Sequence, residues 1–195
     1  MAQELVGELP LTGRPTVRRR SEASLIRGAQ AGSEADLGEL FHRHWRRAYR
    51  TAFLIVHDHA AAEDIAQEAF VAAIRSLDRF DRRRPLGPWL GRIVANRAID
   101  WTRSRTARRE VDREPPELAG PVEEPAGGLD YSDVVVEALA GLTPEHRAVV
   151  VMRYVLEYTP GEIARALRLP RGTVNSRLRR ALDTLDKRLA EVDLR

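Results

Sequence analysis

The sequence predicts an all-α protein: two small helical domains joined by a flexible acidic linker, the C-terminal one a helix-turn-helix. Three observations lead there. Apolar residues recur at helical spacing along most of the chain, while strand signals are nearly absent. Residues 110–130 combine Pro115, Pro116, Pro121 and Pro125 with several glycines and carboxylates, so they bury too little apolar surface to fold alone. The segment from Tyr158 onward carries paired helix signals around a break at Leu169-Pro170. The expected division is a flexible basic tail over 1–21, a domain over 22–106, a linker over 107–130 and a second domain over 131–195.

In the first domain, Leu37, Leu40, Phe41, His44, Ala48, Ala52 and Ile55 form a helical stripe opened by a capping box from Ser33 to Asp36. His57-Asp58 interrupts it. A second helix turns Ala62, Ile65, Ala66, Ala69, Phe70, Ala73 and Leu77 inward, and Arg82 to Pro88 reads as a loop. A third long helix carries Leu90, Ile93, Val94, Arg97, Ala98 and Trp101. Beyond the linker, Val135, Leu139, Leu142, Val149, Val150 and Met152 are available for a small core.

The C-terminal segment is the most informative. Thr159 suits an N-cap, Pro160 the first helical position, and Glu162 completes a capping box. Ile163, Ala164 and Leu167 define one face of a short helix. After Pro170, the stripe Val174, Leu178, Ala181, Leu182, Leu185 and Leu189 docks a second helix. Arg171, Thr173, Asn175, Ser176, Arg177 and Arg180 are left largely outward. Arginine reaches guanine edges or phosphates, and Ser, Thr and Asn add shorter hydrogen bonds, as a helix in a major groove requires. The bland alternative is an ordinary helical hairpin with a solvated basic face.

Charge is segregated. The formal net charge is only +3, yet residues 75–109 hold eleven arginines against Asp78, Asp81 and Asp100. Residues 110–133 hold eight carboxylates against Arg113. Basic surfaces flanking an acidic connector fit a nucleic-acid partner. There is no cysteine, which excludes disulfides, thiolate metal sites and thiol redox chemistry. No signal-peptide core or bilayer-length apolar run is found, so no membrane insertion and a cytoplasmic location are expected. His42, His44, His57 and His59 lack zinc-ligand spacing. With no P-loop, no Gly-x-Ser-x-Gly elbow and no cysteine nucleophile, neither a cofactor, a small-molecule substrate nor catalysis of its own is expected.

Three segments in order carry a family resemblance. They are Asp64-Ile65-Ala66-Gln67-Glu68-Ala69-Phe70, Pro88-Trp89-Leu90-Gly91-Arg92-Ile93-Val94-Ala95-Asn96, and Gly172-Thr173-Val174-Asn175-Ser176-Arg177-Leu178 with Arg180-Ala181. Together they resemble a bacterial extracytoplasmic-function (group IV) sigma factor over about residues 22–106 and 131–191. The resemblance implies a dissociable subunit that binds core RNA polymerase and directs it to promoters through −10 and −35 elements. It assigns core-polymerase binding to Asp64, Gln67, Glu68, Val71 and Arg75, on a polar stripe opposite the apolar face. It assigns −10 contacts to Trp89, Arg92, Asn96 and Arg103, with the preceding loop, where an unpaired base can stack. The −35 contacts fall to Arg171, Thr173, Asn175, Ser176, Arg177 and Arg180.

It also implies an anti-sigma partner, promoter DNA as ligand, and a linker threading the polymerase's RNA-exit path. Family members often carry Phe-Arg before Pro-Trp and Tyr after the following Leu; Leu86-Gly87 and Gly91 stand here instead. That loss of an aromatic and a base bears on the strength of promoter melting. Two other readings compete. A stand-alone helix-turn-helix regulator acting on duplex DNA leaves residues 64–70 and 88–96 without a task. A DNA-processing enzyme needs a catalytic cluster that the sequence does not offer.

Overall fold

The computed structural model describes residues 20–112 and 133–193, and every regular element among them is helical. The expected basic tail up to residue 19 and the linker from residue 113 lie outside the described residues. The N-terminal unit comprises α1 (Glu22–Gln30), α2 (Glu34–Val56), α3 (His59–Ser76), a 3-10 turn (Leu77–Arg79) and α4 (Leu86–Asp112). The C-terminal unit comprises α5 (Asp133–Ala140), α6 (Pro144–Val150), a π turn (Val151–Val155), α7 (Pro160–Leu167) and α8 (Arg171–Asp193).

Each boundary has a local cause. Ser33 accepts a hydrogen bond from the Asp36 amide at the start of α2, and Asp58 does the same for Ala61 at the start of α3. Gly32, at φ +89°, makes the turn between α1 and α2, a conformation that costs a side-chain-bearing residue strain. α2 stops at His57, a left-handed residue whose N–H reaches the Phe53 carbonyl. α1 is an addition to the expected elements. Its Glu22 carboxylate accepts from the Leu86 amide at 2.8 Å and from His44 Nε2 at 3.1 Å. That single side chain caps α4 and satisfies the half-buried His44.

Several expectations are corrected. The loop expected over residues 82–88 ends at Pro85, because α4 begins at Leu86 and Pro88 sits within its first turn, where its missing N–H costs nothing. α4 also runs to Asp112, six residues into the stretch read as linker. Val135 is exposed, and Ala138 and Leu139 fill the core beside half-buried Val136. Arg97, named on the third helix, bridges α4 to α3 through Glu68 at 2.5 Å. Trp101 is half-buried, one face on the core and the other under the Arg105 guanidinium at 5.0 Å.

The two units pack on each other. α2 and α4 meet α6, α2 meets α5 and the π turn, and α4 meets α7, so one apolar cluster runs through both. Every residue from Thr51 to Val56 is buried. Arg147, 7% exposed, reaches across and donates to the Ile55 carbonyl at 2.9 Å. The same guanidinium donates to Ala140 O at 3.1 Å and Leu142 O at 2.9 Å.

His57 lies against this junction. Burial, then the Arg147 and His59 charges, push its pKa from 6.5 down to about 3, and its Nε2 is buried without a partner among the described residues. A proton taken up at pH 6.5 in the unfolded chain is refused by the folded one until about pH 3. Stability is therefore unpenalised above pH 6.5 and falls by about 1.4 kcal/mol per pH unit below it. Asparagine tolerates the left-handed backbone, so His57→Asn should flatten that slope in denaturation profiles between pH 6.5 and 4. An unchanged slope would assign the acid sensitivity to carboxylates.

Candidate nucleic-acid interface

The first surface is the polar face of α3. Asp64, Gln67, Glu68, Val71 and Arg75 are all exposed there, Val71 at 47%. Gln67 donates to Glu63 one turn back at 3.3 Å, and Glu68 is held by Arg97. Ile74, 45% exposed, stands one turn from Val71 and was missed by sequence reasoning. The signal was available: Ile74 falls off the inward stripe of Ala66, Ala69, Phe70 and Ala73, three residues after Val71. The face thus offers carboxylates and an amide around two apolar side chains, a pattern suited to docking on a basic partner. An apolar cleft between α2, α3 and the start of α4 adjoins it at Ile74 and Phe41.

The second surface is built where the 3-10 turn, the loop to Pro85 and α4 converge. Gln30 fixes this turn by donating to Leu77 O at 2.9 Å and Phe80 O at 3.1 Å. Asp81 closes the loop by accepting from the Arg83 amide through its carboxylate and from the Arg84 amide through its carbonyl, both at 3.0 Å. The Phe80 and Trp89 rings then meet at 4.7 Å. A cleft of about 500 Å³ opens beside them, with Arg79, Arg84, Arg92, Asp81, Ser76 and Asn96 on its walls.

Trp89 is half-buried, so its ring packs on the core and also lines the cleft. Guanidinium groups for phosphates, aromatic faces for stacking and an amide for base edges are the equipment of a single-strand site. Of the four residues expected here, Trp89, Arg92 and Asn96 share the cleft and Arg103 does not. Arg103 is exposed, pairs with Asp100 at 3.9 Å and lines a separate cleft against α7. Phe80 and Arg79 join the site, as does Arg84 from the loop already expected there. Their signal was the run of arginines through residues 75–84, which sequence reasoning counted without giving each a place.

The third surface is α8. α7 opens with the full capping box of Thr159 and Glu162 and ends at Arg168, left-handed at φ 53°, whose N–H reaches Ala164 O. That turn throws the chain into α8, where Val174, Leu178 and Ala181 are buried and Leu182 and Leu185 half-buried. Arg171, Asn175 and Arg180 are exposed, and Thr173, Ser176 and Arg177 half-buried. Ser176 donates its hydroxyl to Thr173 O at 3.0 Å, which uses its one donor and leaves the oxygen as an acceptor. Burial, then the Arg177 and Arg180 charges, lower the pKa of His146 on α6. Arg171, Arg179 and Arg180 stand exposed on α8, so this face presents positive charge, as phosphate binding requires. Leu189 is 37% exposed, so the docking stripe fades beyond Leu185.

No described helix is long and apolar enough to cross a membrane, and no group of three His, Asp or Glu among the described residues could hold a metal ion.

Residues 40–108 match the family Sigma-70 region 2, and residues 132–185 match Sigma-70, region 4. The chain is 32% identical to the ECF RNA polymerase sigma factor SigM of Mycobacterium tuberculosis, over 90% of this chain and 88% of that protein. It is 27% identical to the ECF RNA polymerase sigma factor SigW of Bacillus subtilis, over 86% of this chain and 96% of that protein. Among solved structures, CnrH in complex with the cytosolic domain of CnrY superposes with a TM-score of 0.58 at 27% identity, covering 87% of this chain and 97% of that one. The sigma factor RpoE of Bartonella quintana, solved with the anti-sigma factor NepR, shares the fold at a TM-score of 0.62 and 23% identity, over 80% of this chain and 97% of that one.

Proposed function

The chain belongs to the extracytoplasmic-function RNA polymerase sigma factors, and we propose from this a division of labour among its three surfaces. The α3 face, with Asp64, Gln67, Glu68, Val71 and Arg75, docks on core RNA polymerase. The cleft of Trp89, Arg92 and Asn96 takes an unpaired base of the −10 element, and Arg103 contacts the strand beyond it. The α8 face reads the −35 duplex. Phosphoryl transfer stays with the polymerase, and this subunit supplies promoter choice and help with opening.

One observation carries the reading: an aromatic-floored, arginine-walled cleft stands in the segment matching sigma region 2 and an arginine-bearing helix-turn-helix in that matching region 4. The complexes of CnrH with CnrY and of RpoE with NepR support an anti-sigma partner for this chain too.

The test is co-migration of the purified protein with sigma-free core polymerase, followed by initiation from a genomic fragment library. Discrete start sites that depend on the protein are the expected result. Duplex binding without core association would favour the stand-alone regulator. Within the same assay, Asp64→Ala with Gln67→Ala should weaken core binding by about ten-fold, in keeping with the loss of two polar interface contacts. Binding to duplex −35 DNA should be unchanged. Equal losses in both would refute the separation of roles.

A further inference from the structure

The apolar cleft of about 300 Å³ between α2, α3 and the start of α4 has no task in the three surfaces. It runs along the seam between two apolar clusters. Leu40, Leu77 and Leu86 in its wall belong to the cluster under α1, whereas Phe70, Ala73 and Leu90 belong to the main core. Leu37, Phe41 and Trp89 face it half-buried, and Ile74 is 45% exposed. Covering such a wall removes apolar area from water and is favourable.

Gly38 stands in this wall, in the interior of α2. Glycine weakens a helix interior, and its use there commonly marks the close approach of another segment. No described residue makes that approach: none lies within 4 Å of where a β-carbon on Gly38 would be. The space beside Gly38 is therefore open to an occupant.

The chain ahead of α1 is within reach. Arg20 is fastened to α2, its guanidinium pairing with Asp36 and its carbonyl accepting from Arg43 at 3.0 Å. Asp36 directly precedes Leu37 and Gly38, so the fastening lies level with the cleft along α2. Leu9-Pro10-Leu11 is the longest apolar run in residues 1–19. Proline favours an extended residue before it, and in an extended segment residues 9 and 11 share one side. The nine steps from Leu11 to Arg20 span up to about 30 Å, against a helix width of about 10–12 Å. Charge agrees as well. Arg14, Arg18 and Arg19 lie between the apolar run and Arg20, while Glu34 stands exposed on the rim and exposed Asp78 follows Leu77 of the wall.

We propose that this cleft is the seat of the chain's own N-terminal segment, with Leu9 and Leu11 entering it over Gly38. The seated segment joins the two apolar clusters and backs the Trp89 ring, which also lines the base cleft. The seat is independent of the proposed function.

The absence of native cysteine opens the seat to thiol chemistry. In the full-length chain, the thiol of Ile74→Cys should react slowly with an aqueous disulfide reagent. Leu9→Ser with Leu11→Ser should raise that rate about ten-fold, the factor for a segment seated nine-tenths of the time. Leu9→Met with Leu11→Met, which keeps the apolar bulk, should leave it slow. Equal rates in the parent and serine chains would overturn the seat and leave the cleft to a separate partner. Should Ile74→Cys lose its helical circular dichroism, Glu34→Cys on the exposed rim serves as reporter with the same expectation.

Leu11→Cys with Glu34→Cys should close under mild oxidation into a disulfide within one chain. A disulfide-linked dimer as the main product would put a second copy's segment in the cleft and overturn the intramolecular seat. Gly38→Trp fills the space that the glycine leaves, so it should block the closure; closure at an undiminished yield would overturn entry over Gly38.

Discussion

Arg147→Ala should lower the thermal unfolding midpoint by roughly 10 °C or more, the largest stability loss of any single side chain in the junction. The residue is 7% exposed and its guanidinium donates to Ile55 O, Ala140 O and Leu142 O. Truncation leaves those carbonyls facing a void, at about 1–3 kcal/mol for each acceptor that stays dry. Two effects oppose this. Burial already strains the cation, lowering its pKa to about 10, and its Nε has no partner among the described residues. Removing a costly charge returns part of the loss, as replacements of buried ion pairs by apolar residues demonstrate.

Here, however, the acceptors are backbone and cannot be removed with the charge. The loss should prevail at about 3–5 kcal/mol. Methionine separates the contributions. Arg147→Met fills the volume but supplies no donor, so it should recover only the cavity part of the loss. Arg147→Lys keeps the charge with a single donor centre and should fall between. If Arg147→Met melted with the parent, the carbonyls would be shown to find other donors, and the fork would not hold the two helix ends.

The junction is also where the sequence was hardest to read. Within the N-terminal unit, every residue of the inward stripe of α3 is buried, with Ala61 added at its first turn, because one face meets one core. On α2 the stripe named Ala52 and Ile55, but Phe53, Leu54 and Val56 are buried too. A helix end apolar all round is covered on every side, and the run from Ala52 to Val56 carried that message. The same holds for α4, where Ala95 and Ile99 are buried on a face that the single stripe left to solvent.

Periodicity reports how many sides are covered, and reading two tethered domains assigned one side only. The capping of α4 by Glu22 was not legible, since its partner lies 64 residues away. In the cleft, the aromatic and amide of α4 were found from a motif. Phe80, Arg79 and Arg84 depend on the path of a loop, which local spacing does not encode. Arg103 shared a helical face with Trp89 on paper, yet fourteen residues of helix run about 21 Å, too far for one pocket.

Arg177→Ala combined with Arg180→Ala should reduce affinity for a −35 duplex by roughly a hundred-fold, taking about 1–3 kcal/mol for each base or phosphate contact. The two positions are one turn apart on α8, with the side chain of Arg177 half-buried and that of Arg180 exposed. Their different settings predict different behaviour singly. Arg180, free to sweep the surface, suits a phosphate; its loss should weaken all duplexes alike and shrink the salt dependence of binding by about one counterion. Arg177, steadied by its neighbours, suits a base edge; its loss should flatten discrimination between promoter and scrambled duplex.

Both charges already act on His146, so removing them should raise the imidazole pKa toward its ordinary value, a shift readable by titration without DNA. That second readout shows that the arginines stand where the structure puts them, even if the duplex assay fails for other reasons. Core-polymerase binding through the α3 face should survive both substitutions. A fall in core binding as steep as the fall in duplex affinity would mean that α8 serves the polymerase and not the promoter.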